Sequence, residues 1–392
     1  MDGNVYTEYF TSIVFSLFLL LGLIHFVLSR RAFSAIDLST DGARFGGLDG
    51  MRGYLALFVF FYHLYVAFIW GETGVWQYPD DKLIAAFGKI PVFIFFVITG
   101  FLFANKVVYS GKKPFWFDLY VGRFFRIQPL YVFSVILIML FSMIESEQVE
   151  TTISDFYSTL IWLVYAGGST RGDFFGYSDS WLVIAGVHWT LRYEWLFYFS
   201  LPFLYLVRVF NSKLFSFFIV SGILIGATGF SVAGLSFFYA SLFLLGMAAA
   251  KIPQKHVENI CCLFSRSYGS SFLLFMSIFF AVCAFMADFL LGIQLALLIM
   301  FIALRANGDL FGFLRWRGSL LLGEISYSIY LIHGVVIFFI YTSLDLDTWT
   351  GSYFSIAPFV TILVVISSIF TFLMVEKRFM DVGYRIRERF RG

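Results

Sequence analysis

Two ionisable side chains near one apolar run could carry out chemistry inside a membrane. Arg52 belongs to the glycine-rich segment 47–53, and His63 lies eleven residues later, within the apolar run 54–70. A helix would place both side chains on one stripe, about 16 Å apart along its axis. An ionisable residue at that depth is costly to bury, so His63 is a candidate functional residue. The alternative is a packed histidine that bonds to a neighbouring hydroxyl.

The composition determines the class of protein around these residues. Of 392 residues, 60% are hydrophobic and only 13% are charged, and the mean hydropathy is +0.85. Soluble domains do not reach these values. Because lipid offers the backbone no hydrogen-bond partners, the apolar runs must be helices. The sequence therefore predicts an all-α, polytopic helical membrane protein. Its formal net charge of +2 says little about partners and gives no reason to expect nucleic acid.

Eleven apolar runs are long enough to be membrane spans. They are residues 9–28, 54–70, 84–105, 128–143, 190–208, 214–230, 234–250, 271–287, 289–304, 319–341 and 355–375. Basic residues gather in alternate connections, such as 106–126, while acidic residues gather in the others, such as 71–83. The positive-inside rule then predicts an N-terminus outside and a C-terminus in the cytoplasm. This topology requires that residues 153–187 stay on the outer face, either as a re-entrant segment or as an ordinary surface loop.

Five stretches, in order along the chain, resemble motifs of the acyltransferase 3 family of membrane O-acyltransferases. They are residues 48–53 with His63, 93–101, 123–131, 189–194 and 326–333. One departure is Thr190, which stands where the family has Ser. The resemblance covers residues 44 to about 375. It implies a ten-helix acyltransferase core at 44–376, one extra transmembrane helix before it in 1–43, and a basic cytoplasmic tail at 377–392.

The resemblance also implies an activity. The protein would move an acyl group, most often acetyl, from acetyl-CoA or another acyl-CoA in the cytoplasm to a hydroxyl of a saccharide. The acceptor would be an exported glycan or a lipid-linked saccharide at the outer face of the cytoplasmic (inner) membrane. Membrane lipids and proteins of polysaccharide synthesis or export are the other expected partners. No metal is expected.

Three titratable residues are the expected catalytic group. Counting along the predicted helices places His63, Glu194 and His333 in the outer half of the membrane, at similar depth. His63 is the expected base, because imidazole titrates near neutrality. Glu194 would orient that imidazole or hold sugar hydroxyls, the alternative being an ion pair with Arg192. His333 is the next candidate for the base.

The remaining candidate residues would bind substrates. Arg52, Arg123 and Arg126 would hold the phosphates of coenzyme A, because guanidinium groups match phosphate geometry. The alternative is that these arginines are ordinary positive-inside anchors. Trp189 and Tyr330 are the expected substrate-binding residues. Tyr330 shares a helix face with Ser326 and His333, and that face either lines the site or bonds to neighbouring helices.

Two other classes of function fit a buried polar cluster. One is a transporter that moves a polar substrate past the cluster without chemistry. The other is a structural partner of a polysaccharide export system. Binding of coenzyme A would separate the enzyme from both alternatives.

Overall fold

The computed structural model describes residues 3–29, 46–146, 153–164, 173–177, 179–262, 268–343 and 353–391. Within them helix predominates, with one short hairpin of β1 (Ser231–Val232) and β2 (Leu235–Ser236). The helices are α1 (Gly3–Ser29), α2 (Gly46–Thr73), α3 (Lys82–Phe103), α4 (Trp116–Glu145), α5 (Ile153–Leu163), α6 (Trp189–Phe210), α7 (Ser212–Ala227), α8 (Phe237–Lys251), α9 (Gln254–Cys262), α10 (Tyr268–Met286), α11 (Leu290–Arg305), α12 (Arg317–Glu324), α13 (Ser326–Ser343), α14 (Ala357–Thr371) and α15 (Lys377–Arg391).

The predicted apolar runs all coincide with helices. Seven helical segments of the described chain are long and apolar enough to cross a membrane: Val5–Leu28, Gly47–Thr73, Lys82–Val108, Trp116–Glu145, Tyr268–Met286, Ser326–Ser343 and Phe354–Arg391. The shorter apolar helices α7, α8 and α11 match three further runs, and α6 matches the run 190–208. The expected class, a polytopic helical membrane protein, is confirmed.

Helix boundaries differ from the predicted ones at three functionally important places. α2 begins at Gly46, so the segment 47–53 is helical rather than a connection. α4 begins at Trp116, so Arg123 and Arg126 lie inside a helix rather than before one. The run 319–341 is divided at Ile325 into α12 and α13. In the first two cases polar residues lowered the apolar signal, although the helix continues through them.

The glycines of segment 47–53 have a packing role. A Cβ on Gly53 would meet the backbone of Leu322, and one on Gly50 would meet the carbonyl of Leu314. From the other side, a Cβ on Gly323 would meet the carbonyl of Asp49. Small residues of this kind let membrane helices approach closely. They bring α2 against α12 and thereby set the position of Arg52.

Part of the connection between α4 and α6 packs inside the helix bundle. A 3₁₀ helix, Ser180–Ile184, buries Leu182 to Ile184, and a Cβ on Gly334 of α13 would meet its backbone at Ile184. Ser180 and Ser142 of α4 share a hydrogen bond of 3.0 Å. The surface-loop interpretation is therefore wrong for residues 180–187. Residues 165–172, the middle of the predicted excursion, lie outside the described residues.

The two end helices pack on the outside of this arrangement. α1 lies against α14 and α12, and the buried Tyr9 hydroxyl donates a 3.1 Å hydrogen bond to the Phe61 carbonyl of α2. α14 continues through a π-helical turn, Phe372–Glu376, into α15. Arg391 of α15 donates from Nε to Asp118 of α4 at 2.6 Å. The predicted basic tail is thus a helix held against α4.

The close contact of α13 with the 3₁₀ helix predicts a destabilising substitution. Gly334→Ala should lower the free energy of unfolding by about 1–3 kcal/mol, because the added methyl displaces backbone. Thermal unfolding of the detergent-solubilised protein measures the loss. The matched control is Gly22→Ala on α1, where a Cβ meets nothing within 4 Å. Equal melting temperatures for the two variants would contradict the close packing.

Candidate functional site

The bundle has two chemically different ends. The basic side carries the start of α2 and the end of α3, followed by Lys106. The acidic side carries the connection from α2 to α3, with Asp80 and Asp81, and the turn from α10 to α11, with Asp288.

A cavity of about 460 Å³ opens among α2, α3, α4, α6 and α13. α3 lines it from Val92 as far as Lys106 in the π-helical turn Ala104–Val108, a distance of about 21 Å along a helix axis. Its lining is apolar along much of its length, including Val92, Phe95, Phe96, Ile98, Leu102 and Phe103. The cavity is therefore long and suited to a long, partly apolar ligand.

Charge in the cavity is strongly positive. Among the described residues, four cations line it, namely Arg52, Lys106, Arg123 and Arg126, together with one carboxylate, Glu194, which leaves an excess of three positive charges. Lys106 is exposed and lies at the basic side. The guanidinium of Arg123 lies 5.1 Å from the centre of the Phe103 ring, a cation–π contact. An anion entering from the basic side meets all four cations within one cavity.

Lys106 is the first residue of the predicted connection 106–126, whose basic residues the positive-inside rule accounts for. The structure instead places it on the cavity wall, in a π-helical turn, and such turns are frequent at functional sites. The sequence signal is slight: Lys106 directly follows an apolar run, as many loop lysines do.

Acidic residues next to the cavity lining partly offset the positive charge of two of these arginines. Arg52 and Arg126 interact electrostatically with Glu376 and Glu324. Glu376 lies in the π-helical turn between α14 and α15, is buried, and accepts a 3.0 Å hydrogen bond from the Ser328 hydroxyl. Sequence reasoning missed Glu376, because it falls at the predicted end of the last span. It counters the repulsion between two arginines that line the same wall.

Glu194 lines the cavity, and within the described chain it forms no hydrogen bond with the two histidines. Its Oε1 accepts a hydrogen bond from the Tyr198 hydroxyl, and Arg123 lies beside that tyrosine. Among the described residues no salt bridge joins Glu194 to Arg192, whose side chain is exposed. The alternative of an ion pair with Arg192 is therefore wrong, and the imidazole of His63 is oriented by a different residue.

That residue is His333. Its Nε2 lies 3.0 Å from Nδ1 of His63, and the two rings stack with centroids 5.0 Å apart. Nδ1 of His333 lies 3.0 Å from the Ile329 carbonyl, and Nδ1 of His63 lies 3.0 Å from the Val59 carbonyl. A carbonyl can only accept, so both Nδ1 atoms carry the proton. These tautomers follow from the hydrogen-bond network.

The network determines which histidine can act as a base. His63 has one hydrogen on Nδ1, which the Val59 carbonyl and His333 Nε2 share as acceptors, so both nitrogens of the fully buried His333 are used. His63 Nε2 then carries a lone pair, and it makes no hydrogen bond to another residue in the described part of the chain. This is the arrangement of a base held by an orienting partner, as in hydrolase triads. His63 is the base candidate, and His333 positions it.

Tyr330 separates the histidine pair from the cavity. Its hydroxyl lies 3.0 Å from the Thr190 hydroxyl and donates to the Val187 carbonyl at 3.2 Å. Its ring lines the cavity and lies edge-on to His333 at 6.3 Å. Ser326, one turn earlier on α13, also lines the cavity; its buried hydroxyl has no partner among the described residues. The face containing Ser326 and Tyr330 therefore lines the site.

The structure thus brings seven of the eight predicted site residues into one region. Five line the cavity directly, namely Arg52, Arg123, Arg126, Glu194 and Tyr330. His63 and His333 lie beyond Tyr330. Trp189 does not line the cavity; its ring packs against Phe96 at 6.4 Å and lies 5.6 Å from Lys89 Nζ.

A comparison with known protein families agrees with this geometry. The family model for acyltransferase 3, described as an acyltransferase domain, matches residues 45–373. The match contains every residue of the cavity and the histidine pair, and it begins after α1. The chain belongs to the acyltransferase 3 family and is a membrane acyltransferase. No curated protein and no solved structure matches the chain.

The acceptor role of His333 predicts different outcomes for two substitutions. His333→Phe keeps a planar ring but cannot accept the hydrogen bond from His63, so turnover should fall about 100-fold, within the range expected for impaired general-base catalysis. His333→Gln offers a side-chain carbonyl as acceptor and should lose less than tenfold. Turnover as a function of pH, together with the folded yield, checks the prediction. Equal losses in both variants would assign His333 to packing alone.

Proposed function

We propose that this protein is an O-acyltransferase of the cytoplasmic (inner) membrane that moves an acyl group, most often acetyl, from acyl-CoA to a hydroxyl of a saccharide. The basic side faces the cytoplasm and the acidic side faces outward, as the loop charges favour. The N-terminus is then outside and the C-terminus inside. The acceptor is an exported glycan or a lipid-linked saccharide.

The cavity supports the donor part of this proposal. Acyl-CoA carries phosphates at one end and a thioester at the other, joined by a thin chain. The exposed Lys106 and the arginines at 123 and 126 offer cations to the phosphates, and planar guanidinium groups suit them. The apolar wall of α3 then leads toward Tyr330 and the histidine pair. A donor bound this way enters with its thioester leading.

The histidine pair supports the chemistry. An acceptor hydroxyl at His63 Nε2 gives up its proton to that nitrogen while its oxygen bonds to the thioester carbonyl carbon. The carbon–sulfur bond then breaks, and the proton on Nε2 passes to the departing sulfur. The products are an ester and the free thiol of coenzyme A. His333 keeps the His63 ring in the tautomer that this sequence needs.

A single observation carries the proposal: an imidazole with an available Nε2, oriented by a second histidine, lies behind Tyr330, which lines a cavity with four cations. A transporter needs no such orientation of a base. The position of the pair beyond Tyr330, away from the basic side, favours an acceptor that arrives from the acidic side.

The role of the base is tested by His63→Gln. Glutamine is similar in size and forms hydrogen bonds, but it cannot take up a proton, so turnover should fall by about 10²–10⁴-fold. Binding of coenzyme A to the same variant should stay unchanged, because the cations of the cavity are intact. Release of free thiol from acetyl-CoA, in the presence of an envelope glycan extract, measures turnover. Wild-type turnover in His63→Gln would make this residue structural.

Donor recognition is tested by Arg126→Lys. The substitution keeps the charge but loses the planar fork, so the KM for acetyl-CoA should rise about tenfold, the equivalent of one lost charge-assisted hydrogen bond. The acceptor KM should change little. Arg192→Lys is the matched control, since Arg192 is exposed and outside the cavity. If the two variants have the same donor KM, the arginines of α4 are anchors rather than ligands.

A further inference from the structure

Lys89 is a cation on the acidic side that the proposed reaction does not use. It lies in α3, seven residues after the first residue Lys82, which is about 10 Å along the helix. Lysine is disfavoured on the outer side of a membrane helix. A charge at this depth is costly and is a candidate for function unless a partner explains it.

Among the described residues, no acidic side chain forms a salt bridge with Lys89. Its Nζ lies instead over two aromatic rings, 5.2 Å from the centre of Tyr78 and 5.6 Å from that of Trp189. Cation–π contacts stabilise a desolvated ammonium, but they leave its positive charge uncompensated. Lys82 of the same helix differs, because it is exposed and pairs with Asp288.

Lys89 borders the reaction centre. Trp189 under its ammonium is followed by Thr190, whose hydroxyl lies 3.0 Å from that of Tyr330. Tyr330 contacts His333, which bonds to His63. Lys89 is also close enough to His63 to act on it electrostatically. Val92, three residues further along α3, already lines the cavity.

The phosphates of the donor do not account for this cation. Lys106, at the basic end of the cavity, follows Lys89 by seventeen residues of the same helix and π-helical turn, which is about 25 Å. A donor whose phosphates lie among Lys106, Arg123 and Arg126 keeps them at the far end of the site. The positive charge of Lys89 is therefore available to bind the acceptor.

We propose that Lys89 binds an anionic group of the acceptor, so that the preferred acceptor is an acidic saccharide with a carboxylate or a phosphate. The inference rests on the proposed function and specifies its substrate class. Tyr78 and Trp189 add aromatic surface beside the ammonium, on which the apolar face of a sugar ring can pack. A neutral saccharide would leave the half-buried ammonium without a counter-charge.

The test measures binding separately from turnover. The full chain in nanodiscs, without donor, is titrated calorimetrically with two matched pairs of probes. The first pair is trigalacturonate and galactotriose, and the second is glucose 1-phosphate and methyl glucoside. In at least one pair the anionic probe should bind at least tenfold more tightly than the neutral one. The pair that shows the preference distinguishes a carboxylate from a phosphate.

Variants then assign the preference to Lys89. Lys89→Met and Lys89→Gln should bind both members of a pair equally, while Lys89→Arg should keep the preference. Lys82→Met is the matched control from the same helix and should also keep it. Added coenzyme A should not compete with the anionic probe. No preference in the wild type, a preference that survives in Lys89→Met, or competition by coenzyme A would overturn the inference.

Turnover separates this inference from the proposed function. Preferential binding of an anionic probe, without thiol release from acetyl-CoA on any acceptor, would retain the anion site and contradict the transferase. Equal turnover and equal binding of anionic and neutral acceptors would retain the transferase and overturn the role of Lys89.

Discussion

The hydrogen bond between His63 and His333 is the interaction on which this site depends. It joins α2 to α13 in the interior of a membrane protein, where no bulk water can replace a lost partner. It exists because α2 is held close to the α12–α13 segment, with glycines at the crossing where any side chain would meet backbone. The glycine-rich motif and the two histidines therefore act together to form the site. The glycines set the separation of the helices, and the bond fixes the tautomer that leaves His63 Nε2 available.

The positive charges near the histidine pair lie toward both ends of the bundle. This distribution suits a donor and an acceptor that arrive from opposite sides. Four cations in the cavity lie toward the basic side, while Lys89 borders the pair from the acidic side among the residues that the structure describes. Tyr330 stands between cavity and pair, with its hydroxyl bonded to Thr190 and the Val187 carbonyl. A donor with several phosphates and an acceptor with one negative charge would each meet a matching potential. Their reacting atoms would meet near His63.

The sequence predicted the fold class and the helices, because long apolar runs are strong signals, and its ordered motifs named seven residues that the structure brings into one region. It could not predict which helices touch. Depth along each helix suggested that Glu194 and His333 both accompany His63, whereas in the structure only His333 bonds to His63 and Glu194 bonds to Tyr198, one turn along its own helix. Glu376 and Lys89 were missed because each is one charge at or inside an apolar run, and only packing reveals what surrounds it. The helical conformation of segment 47–53 was hidden by its glycines, which lower helix propensity but permit close approach.

Donor and acceptor are expected to reach His63 from opposite sides of the membrane. Proteoliposomes with the protein in one known orientation separate the two approaches, with radiolabelled acetyl-CoA confined to one side and a soluble acidic oligosaccharide to the other. Labelled oligosaccharide should form only when the donor is at the basic side and the acceptor at the acidic side. Transfer that occurs only with both substrates on the same side would rule out entry from opposite sides.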